Sequence, residues 1–451
     1  MADLREPLLE AQYPELESPS KNPLFRKIEV KADPSTEGLD VLQSLRSGAV
    51  TALDLGAPVS CLVSCSYGVI AGLGNGRILL IDNDACVQLI GSHKDEVLCM
   101  HVCGNFLATG SSDNSKKLWN LDAMHEVATL SNHIREISAI QISAMGSWII
   151  SGSRDNTVES WSLLDLEVCH SLKRHTGWVN CVAITKDEKY ALSGSSDGTL
   201  RIWDMETQVE TTVLTGHTDW VRCLVLTPDG QRAVTGSQDR TIKVWSLQTF
   251  ELDGSLSGHE DIILCMLISS DSERLISGSR DRTIKIWSLL DMAEVATLTG
   301  HNEEVTCLAI TPEGLYLISG AKDGEVKVWS LETLGEVANS RHHQLAVTGV
   351  AVTADWKHIV SASKDGTVRV LGFDQAKEEA ALRKLSVGSV ELAQLDKISG
   401  SMELIQSQPL LSAPFQLKET GKGDTGGCSP MCCLVTCLLI LLLVLVAILL
   451  D

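Results

Sequence analysis

The stretch SGSRDRTIKIWSLL, residues 277–290, decides the fold because close copies of it recur at a fixed interval. TGSQDRTIKVWSLQ begins at Thr235 and SGAKDGEVKVWSLE begins at Ser319, so each copy lies 42 residues away. A period of this length is typical of repeat proteins, in which each supersecondary unit buries its apolar surface against its neighbours. The serine, aspartate and arginines of this stretch are therefore repeated positions before they are candidate chemical groups.

Four residue types share the register. Aspartates recur every 42 residues, each with a Ser or Thr four residues before it, and in six copies a Trp follows six residues later. A His precedes each aspartate by 22 residues, or by 20 in the first set. The six complete sets are His93, Thr109, Asp113 and Trp119; His133, Ser151, Asp155 and Trp161; His175, Ser193, Asp197 and Trp203; His217, Thr235, Asp239 and Trp245; His259, Ser277, Asp281 and Trp287; and His301, Ser319, Asp323 and Trp329. A seventh set has Leu371 in place of the tryptophan.

The segments between these markers have the pattern of β-strands. Runs such as VNCVAI, VRCLVL and VTCLAI alternate apolar residues with a period of two, which is typical of strands. Asp-Gly, Asp-Arg and Asp-Asn pairs separate the second and third runs of each repeat, as tight hairpin turns do. Four short strands in each 42-residue repeat predict one blade of a β-propeller.

The Gly-His, Ser/Thr-Gly-Ser-x-Asp and Trp-Ser or Trp-Asp elements resemble the WD-repeat β-propeller family over residues 48–372. Trp203-Asp204 is the one true Trp-Asp pair. The resemblance implies that histidine, hydroxyl, aspartate and indole N–H form a buried hydrogen-bonded chain that links the strands of a blade. A Ser-His-Asp triad serves one nucleophile beside one cleft, whereas these sets recur around the ring. We therefore expect no enzymatic activity and no cofactor.

The blade count depends on both ends of the array. An eighth, degenerate copy opens it, with Asn75-Gly76 at the turn and Ile81 where tryptophan is expected. GAVTALDL, residues 48–55, matches the fourth-strand pattern, and nothing after Phe373 does. We expect this N-terminal strand to complete the last blade and close the ring, which removes exposed sheet edges. The prediction is eight blades, with seven as the alternative if the degenerate copy packs outside the ring.

Residues that differ between blades are the candidates for a partner site. In related propellers the residue before each aspartate and the third residue after each histidine lie on one side of the ring. At these positions Trp178 and Trp220 come from neighbouring blades, and we expect them to form an apolar patch beside Arg154 and Arg280. Tryptophan and arginine are the residues most enriched at binding hot spots. The alternative is that both tryptophans only pack under loops. The candidate partner-binding residues are Trp178, Trp220, Arg154, Arg280, Ile262 and Lys322.

Composition excludes some classes of function. The net charge of −21 argues against nucleic-acid binding, which requires a basic face. Five of the 14 cysteines each lie six residues after a repeated histidine, so they represent one structural position. This placement favours free thiols in the core and a reducing compartment over a disulfide framework.

The last twenty residues before Asp451 predict a membrane anchor. MCCLVTCLLILLLVLVAILL, residues 431–450, has no charge and is long enough to cross a bilayer as a helix. Lys418 and Lys422 precede it and the N-terminus has no secretory signal, which favours a tail-anchored protein with a cytosolic propeller, on the endoplasmic reticulum or another endomembrane. Cysteines at this boundary are candidates for S-palmitoylation, with metal binding as the weaker alternative: Cys428, Cys432 and Cys433.

These predictions combine into one domain plan and one leading function. The plan is a disordered acidic segment, the propeller, a partly helical or flexible linker and the anchor, in the order 1–47, 48–373, 374–427 and 428–451. The leading function is a non-enzymatic, membrane-tethered scaffold that recruits a protein partner through the propeller rim. Two alternatives remain open: an exchange-factor-like regulator of a small GTPase in membrane traffic, and a substrate receptor of a ubiquitin ligase.

Overall fold

A computed structural model describes residues 51–82, 85–163, 168–353 and 357–372. These residues form 32 β-strands in eight antiparallel four-stranded sheets. The innermost strand of each sheet contacts the innermost strands of the two neighbouring sheets, so the sheets are the blades of a closed propeller. The prediction of an all-β propeller with eight blades is confirmed, and the seven-blade alternative is wrong.

The degenerate first copy and the next three copies each form a blade from four consecutive strands. A preceding strand, β1, spans Thr51–Asp54. Blade 1 has β2 (Val59–Cys65), β3 (Gly68–Leu73), β4 (Arg77–Asp82) and β5 (Val87–Ser92). Blade 2 has β6 (Val97–Cys103), β7 (Phe106–Ser111), β8 (Lys116–Asn120) and β9 (His125–Leu130). Blade 3 has β10 (Ile137–Ile142), β11 (Trp148–Ser153), β12 (Val158–Ser162) and β13 (Val168–Leu172). Blade 4 has β14 (Val179–Ile184), β15 (Tyr190–Ser195), β16 (Leu200–Asp204) and β17 (Val209–Leu214).

The remaining strands continue this order. Blade 5 has β18 (Val221–Leu226), β19 (Arg232–Ser237), β20 (Thr241–Ser246) and β21 (Leu252–Ser257). Blade 6 has β22 (Ile263–Ile268), β23 (Arg274–Ser279), β24 (Ile284–Ser288) and β25 (Ala293–Leu298). Blade 7 has β26 (Val305–Ile310), β27 (Tyr316–Ala321), β28 (Val326–Ser330) and β29 (Gly335–Ser340). Blade 8 has β30 (Val347–Val352), β31 (His358–Ser363) and β32 (Thr367–Gly372), and β1 is its fourth strand.

The second strand of each blade is buried on both faces, and β23 shows why. Successive side chains of a strand point to opposite faces of the sheet. Leu275 packs in a cluster with Val234 of blade 5, whereas Ile276 packs in a cluster with Leu317 of blade 7. A blade therefore has no solvent-facing side in its middle, and near-continuous apolar runs replace the alternation seen at its edges.

The glycine between the two hydroxyl residues of the repeat permits neighbouring blades to approach closely. A Cβ atom on Gly278 would lie 2.7 Å from Cys265 Sγ and 2.8 Å from Val305 Cγ1 of the next blade. Cys265 is one of the five repeated cysteines, and all five are free thiols. Burial raises the pKa of the equivalent thiols Cys223 and Cys307 to about 12, as expected for core residues.

The ring closes where the first and last described strands meet. β1 pairs antiparallel with β32, with Leu53 opposite Val368. The Thr348 hydroxyl of blade 8 donates a hydrogen bond to the Val59 carbonyl of blade 1 at 2.8 Å, and the inner strands β2 and β30 are in contact. The predicted strand exchange between the two ends of the array is therefore present.

Three of the predicted regions, 1–47, 374–427 and 428–451, lie outside the described residues. So do the predicted span at 431–450 and the candidate lipidation sites Cys428, Cys432 and Cys433. Within the described ranges, the structure contains no helix of the length and apolarity needed to cross a bilayer. The anchor therefore stays a prediction from the sequence.

Candidate functional site

In blade 6, the repeated residues form a continuous hydrogen-bonded chain. His259 Nδ1 lies 2.7 Å from Asp281 Oδ2, and its Nε2 lies 2.7 Å from Ser277 Oγ. The Trp287 indole N–H donates to the same Ser277 oxygen at 2.8 Å. An ionised carboxylate only accepts, so Nδ1 carries the proton, and Nε2 accepts from the serine hydroxyl. The chain links β23, β24, the turn between them and the loop that enters the blade.

Blades 2, 4 and 5 repeat this arrangement. The distance from histidine Nε2 to the hydroxyl oxygen is 2.7–2.8 Å in all three, and the indole nitrogen lies 2.8–2.9 Å from that oxygen. Burial alone raises the pKa of Asp239, but hydrogen bonds from Thr241, Thr218 and His217 outweigh it and bring that pKa to about 2. The sets in these blades are His93, Thr109, Asp113 and Trp119; His175, Ser193, Asp197 and Trp203; and His217, Thr235, Asp239 and Trp245.

Blade 3 departs from this pattern at its tryptophan. His133 contacts Asp155 at 2.9 Å and Ser151 at 3.0 Å, but Trp161 Nε1 has no hydrogen-bond partner among the residues the structure describes. The expected bond from Trp161 to Ser151 is therefore not formed. The ammonium group of Lys116, from blade 2, donates to Ser151 Oγ at 3.0 Å instead.

Lys116 also forms a buried ion pair that the sequence analysis missed. Its Nζ lies 2.6 Å from Glu159 Oε2 of blade 3, and both residues are buried. Burial lowers the pKa of Lys116 although Glu159 opposes the shift. The residue types at these two positions could have indicated the pair. The position of Lys116 is apolar in every other blade, and the position of Glu159 is basic in blades 2 and 4–8.

Blade 7 departs at its aspartate. His301 Nε2 lies 2.7 Å from Ser319 Oγ, and Trp329 donates to that oxygen at 2.8 Å, as in blade 6. Within the described ranges, however, His301 Nδ1 and Asp323 Oδ2 have no hydrogen-bond partner, so the expected pair between them is absent. Glu325 occupies the position at which blades 2–6 and 8 have a threonine or serine beside the aspartate and the histidine.

The two variable series of the rim lie side by side. The N–H of the residue before the repeated aspartate donates to the carbonyl of the third residue after the histidine, as Arg154 does to Glu136 at 3.0 Å and Gln238 to Trp220 at 2.9 Å. The same bond joins Arg280 to Ile262 at 2.9 Å. Both series are therefore on one face of the ring.

On this face, Trp178 and Trp220 are in contact. Their ring centroids are 5.7 Å apart, Trp178 is 37% exposed and Trp220 is half-buried. The Arg154 guanidinium lies 5.1 Å from the Trp178 ring centroid, and the Arg222 guanidinium lies 5.2 Å from that of Trp220. We call Arg154, Trp178, Trp220 and Arg222 the tryptophan–arginine patch. Arg222, the second residue of β18, was not among the predicted partner-binding residues, although it lies only two residues after Trp220.

The other predicted partner-binding residues lie apart from this stack. Arg280 Nε is 3.1 Å from a carboxylate oxygen of Glu304, and Lys322 Nζ is 3.0 Å from the same oxygen. Ile262 is half-buried and lies directly before β22. The expectation that Arg280 flanks the tryptophans is corrected: Arg222 stacks on Trp220, and Arg280 belongs to a charge cluster around Glu304.

Comparisons with known proteins agree with this geometry. The chain is 27% identical to the computationally designed Ika8 protein, whose crystal structure it matches with a TM-score of 0.63 over 71% of this chain and 98% of that one. A segment of 82 residues, 18% of the chain, is 30% identical to Kinesin-like protein KIF21B of Homo sapiens and 29% identical to that of Mus musculus. This chain spans only 5% of the length of those relatives.

The repeat family model described as "WD domain, G-beta repeat" matches the array from residue 84 onward. Its seven matches together cover more than half of the chain, and each covers the fourth strand of one blade and the first three strands of the next. They therefore begin at β5 of blade 1 and end in β32 of blade 8, and β2–β4 of blade 1 fall before them. The matched segments are 84–120, 124–162, 166–204, 208–246, 250–288, 292–330 and 335–370. The chain therefore belongs to the WD-repeat family.

Proposed function

We propose that this protein is a non-enzymatic scaffold that recruits a protein partner through the tryptophan–arginine patch. The observation that carries the proposal is the contact between Trp178 and Trp220 on the rim, with an arginine stacked on each ring. Two large aromatic side chains from adjacent blades are partly exposed there without being needed in the core clusters. Exposed aromatic and arginine side chains in contact are typical of binding hot spots.

The chemistry of the patch favours a particular kind of partner surface. The two indole rings offer an apolar platform, and the stacked guanidinium groups place positive charge at its border. The Arg154 side chain is 44% exposed and also pairs with Glu136, so part of its donor capacity is already used within the ring. A segment with an apolar or aromatic anchor flanked by carboxylates complements this arrangement.

A matched pair of double variants tests the patch. The purified full-length protein in detergent is compared with Trp178→Ala/Trp220→Ala and with Met145→Ala/Leu315→Ala, which removes two exposed apolar residues from turns at the opposite ends of the strands. We expect the first variant to lose at least tenfold in recovery of one or more specific binding proteins, about 1.4 kcal/mol per tenfold, and the second to recover them at wild-type levels. Equal recovery by both variants would refute the patch.

We further propose that residues 431–450 tether the propeller to the cytosolic face of an endomembrane, with Cys428, Cys432 and Cys433 as acylation sites. The uncharged twenty-residue stretch and the preceding Lys418 and Lys422 support this proposal. Deletion of 428–451 is expected to release the protein from the membrane fraction. Protease added outside intact vesicles is expected to digest the propeller of the full-length protein, and protection of the propeller would contradict the orientation.

A further inference from the structure

Blade 7 replaces a hydroxyl with a carboxylate at a position where the other sets use the hydroxyl as a bridge. In blade 6, Thr283 Oγ1 donates to Asp281 Oδ1 at 2.6 Å and lies 3.3 Å from His259 Nδ1. Glu325 stands at this position in blade 7. A second carboxylate cannot donate to the first, and two nearby negative charges repel each other. The bridge is lost, and the local charge becomes more negative.

Three polar atoms are left without hydrogen-bond partners in the described structure: His301 Nδ1, Asp323 Oδ2 and Glu325 Oε2. They face one another, with His301 Nδ1 4.0 Å from Glu325 Oε2 and one ligand atom from each of the three residues within 4.8 Å of the others. His301 is 7% exposed and Glu325 is 9% exposed. Buried polar atoms almost always have a partner, so three that converge on one point indicate a group that would satisfy all of them.

The surroundings prepare these atoms for a cation rather than for a proton donor. Ser319 holds His301 Nε2 at 2.7 Å, so the ring is fixed with Nδ1 directed at the carboxylates. His301 Nδ1 has no hydrogen-bond partner among the described residues, so the lone pair of this nitrogen in a neutral imidazole is available to a metal ion. Lys327 lies 3.5 Å from Glu325 Oε1, which leaves Oε2 as the free oxygen of that carboxylate.

We propose that His301, Asp323 and Glu325 bind a divalent transition-metal cation such as Zn²⁺. One imidazole nitrogen and two carboxylate oxygens are ligands that Zn²⁺ accepts, and metal–ligand distances of about 2.0–2.2 Å require only small movements from the present separations. Asp323 is partly exposed, so a fourth position on the metal faces solvent and can be filled by water. Ser319 orients the His301 ring through Nε2, which is the role that an outer-shell hydrogen-bond partner has for a metal-binding histidine. The cation would join the entry loop of blade 7 to the turn before β28.

The test uses the purified full-length protein, stripped with a chelator, and Zn²⁺ as the probe. Calorimetric titration and the thermal unfolding temperature are compared for the wild type, Glu325→Thr and Glu294→Gln. Glu325→Thr restores the residue found at this position in blades 3–6 and 8, so it is expected to fold. Glu294→Gln makes the same change of charge on blade 6 and serves as the control. Titration of the same proteins with Co²⁺ distinguishes this site from thiolate sites, because cobalt bound to cysteine has a charge-transfer absorption and cobalt bound to this site does not.

We expect wild type and Glu294→Gln to bind Zn²⁺ with equal affinity, to unfold at a higher temperature when it is present and to bind Co²⁺ without the thiolate absorption. Glu325→Thr is expected to lose this binding by at least tenfold and to gain nothing in unfolding temperature from Zn²⁺. Equal affinity of the wild type and Glu325→Thr would overturn the proposal, because the metal would then lie elsewhere. Absence of binding to the wild type would also overturn it, and the two carboxylates would then be satisfied by sharing a proton.

Discussion

Blade 6 and blade 1 solve the same packing problem by opposite means. Blade 6 joins its strands through the buried chain from Asp281 to Trp287. Blade 1 has Ala71 where the hydroxyl is expected and Ile81 where the tryptophan is expected, and both are buried in one apolar cluster. Replacing both partners of a hydrogen bond with apolar groups is nearly neutral, whereas removing one partner is costly. The polar chain is therefore not required for a blade, but it must be complete where it is present.

Blades 3 and 7 lie between these two extremes. Each retains the histidine and the hydroxyl but leaves a buried polar atom without a partner in the described residues, Trp161 Nε1 in blade 3 and His301 Nδ1 in blade 7. In blade 3 the Ser151 hydroxyl oxygen accepts a hydrogen bond from Lys116, which also pairs with Glu159, instead of from the indole N–H. We therefore expect the cost of a single substitution in the free energy of unfolding to depend on whether the network of that blade is complete, partial or absent.

The largest effect is expected at the buried pair of blade 3. Glu159→Ala leaves the buried Lys116 ammonium without its counter-charge, which costs about 3–5 kcal/mol in the free energy of unfolding. In the double variant Lys116→Val/Glu159→Arg, the first substitution introduces the residue that blade 3 has at this position, Val158, and the second introduces the residue that blade 4 has, Arg201. This double variant is expected to be as stable as wild type or more stable. Denaturant unfolding measures both. If the double variant were no more stable than Glu159→Ala, the unpaired charge of Lys116 would not be the cause of the loss of stability.

The next effect breaks a complete network. Ser277→Ala leaves His259 Nε2 and Trp287 Nε1 without partners, which is expected to cost about 2–4 kcal/mol, in the lower part of the sum for two orphaned groups at about 1–3 kcal/mol each. The converse variant, Ala71→Ser, introduces a lone hydroxyl into the apolar cluster of blade 1 and is expected to cost about 1–3 kcal/mol. If Ala71→Ser left the free energy of unfolding unchanged, the stability of a blade would not depend on whether its hydrogen-bonded network is complete.

The smallest effect isolates one hydrogen bond. Trp245→Phe and Trp161→Phe remove the same volume from equivalent buried positions, but only Trp245 donates to its hydroxyl, at 2.8 Å. We expect Trp245→Phe to be the more destabilising by about 1 kcal/mol, the net value of a neutral hydrogen bond. Thermal unfolding of the two variants gives this difference. Equal losses would mean that Trp161 has a partner after all.

The architecture could be predicted from the sequence because the period repeats. The 42-residue interval, the alternating strands and the unmatched fourth-strand pattern at 48–55 each predicted a feature that the sheets show, including the pairing of β1 with β32. The same reasoning predicted one face for the two rim series, and their backbone hydrogen bonds place them side by side. A repeated pattern predicts the features that all blades share.

What the sequence analysis missed depends on how single blades differ. Lys116 and Glu159 are 43 residues apart, one residue more than the repeat, so they face each other across a boundary between blades. Glu325 changes the charge next to Asp323, and the expected histidine–aspartate pair is lost. Arg222 takes the place expected for Arg280 because a stacking contact depends on side-chain direction, which residue spacing alone does not fix. Each of these departures is a visible substitution against the consensus of the repeat.

The most direct test of the division between repeated structure and variable surface measures two quantities on two variants. Unfolding temperature and recovery of partner proteins are determined for Ser277→Ala and for Trp178→Ala/Trp220→Ala, at a temperature where both are folded. We predict that Ser277→Ala loses stability and keeps its partners, and that the double variant loses its partners and keeps its stability. Loss of partners by Ser277→Ala, or a comparable loss of stability in the double variant, would contradict this account.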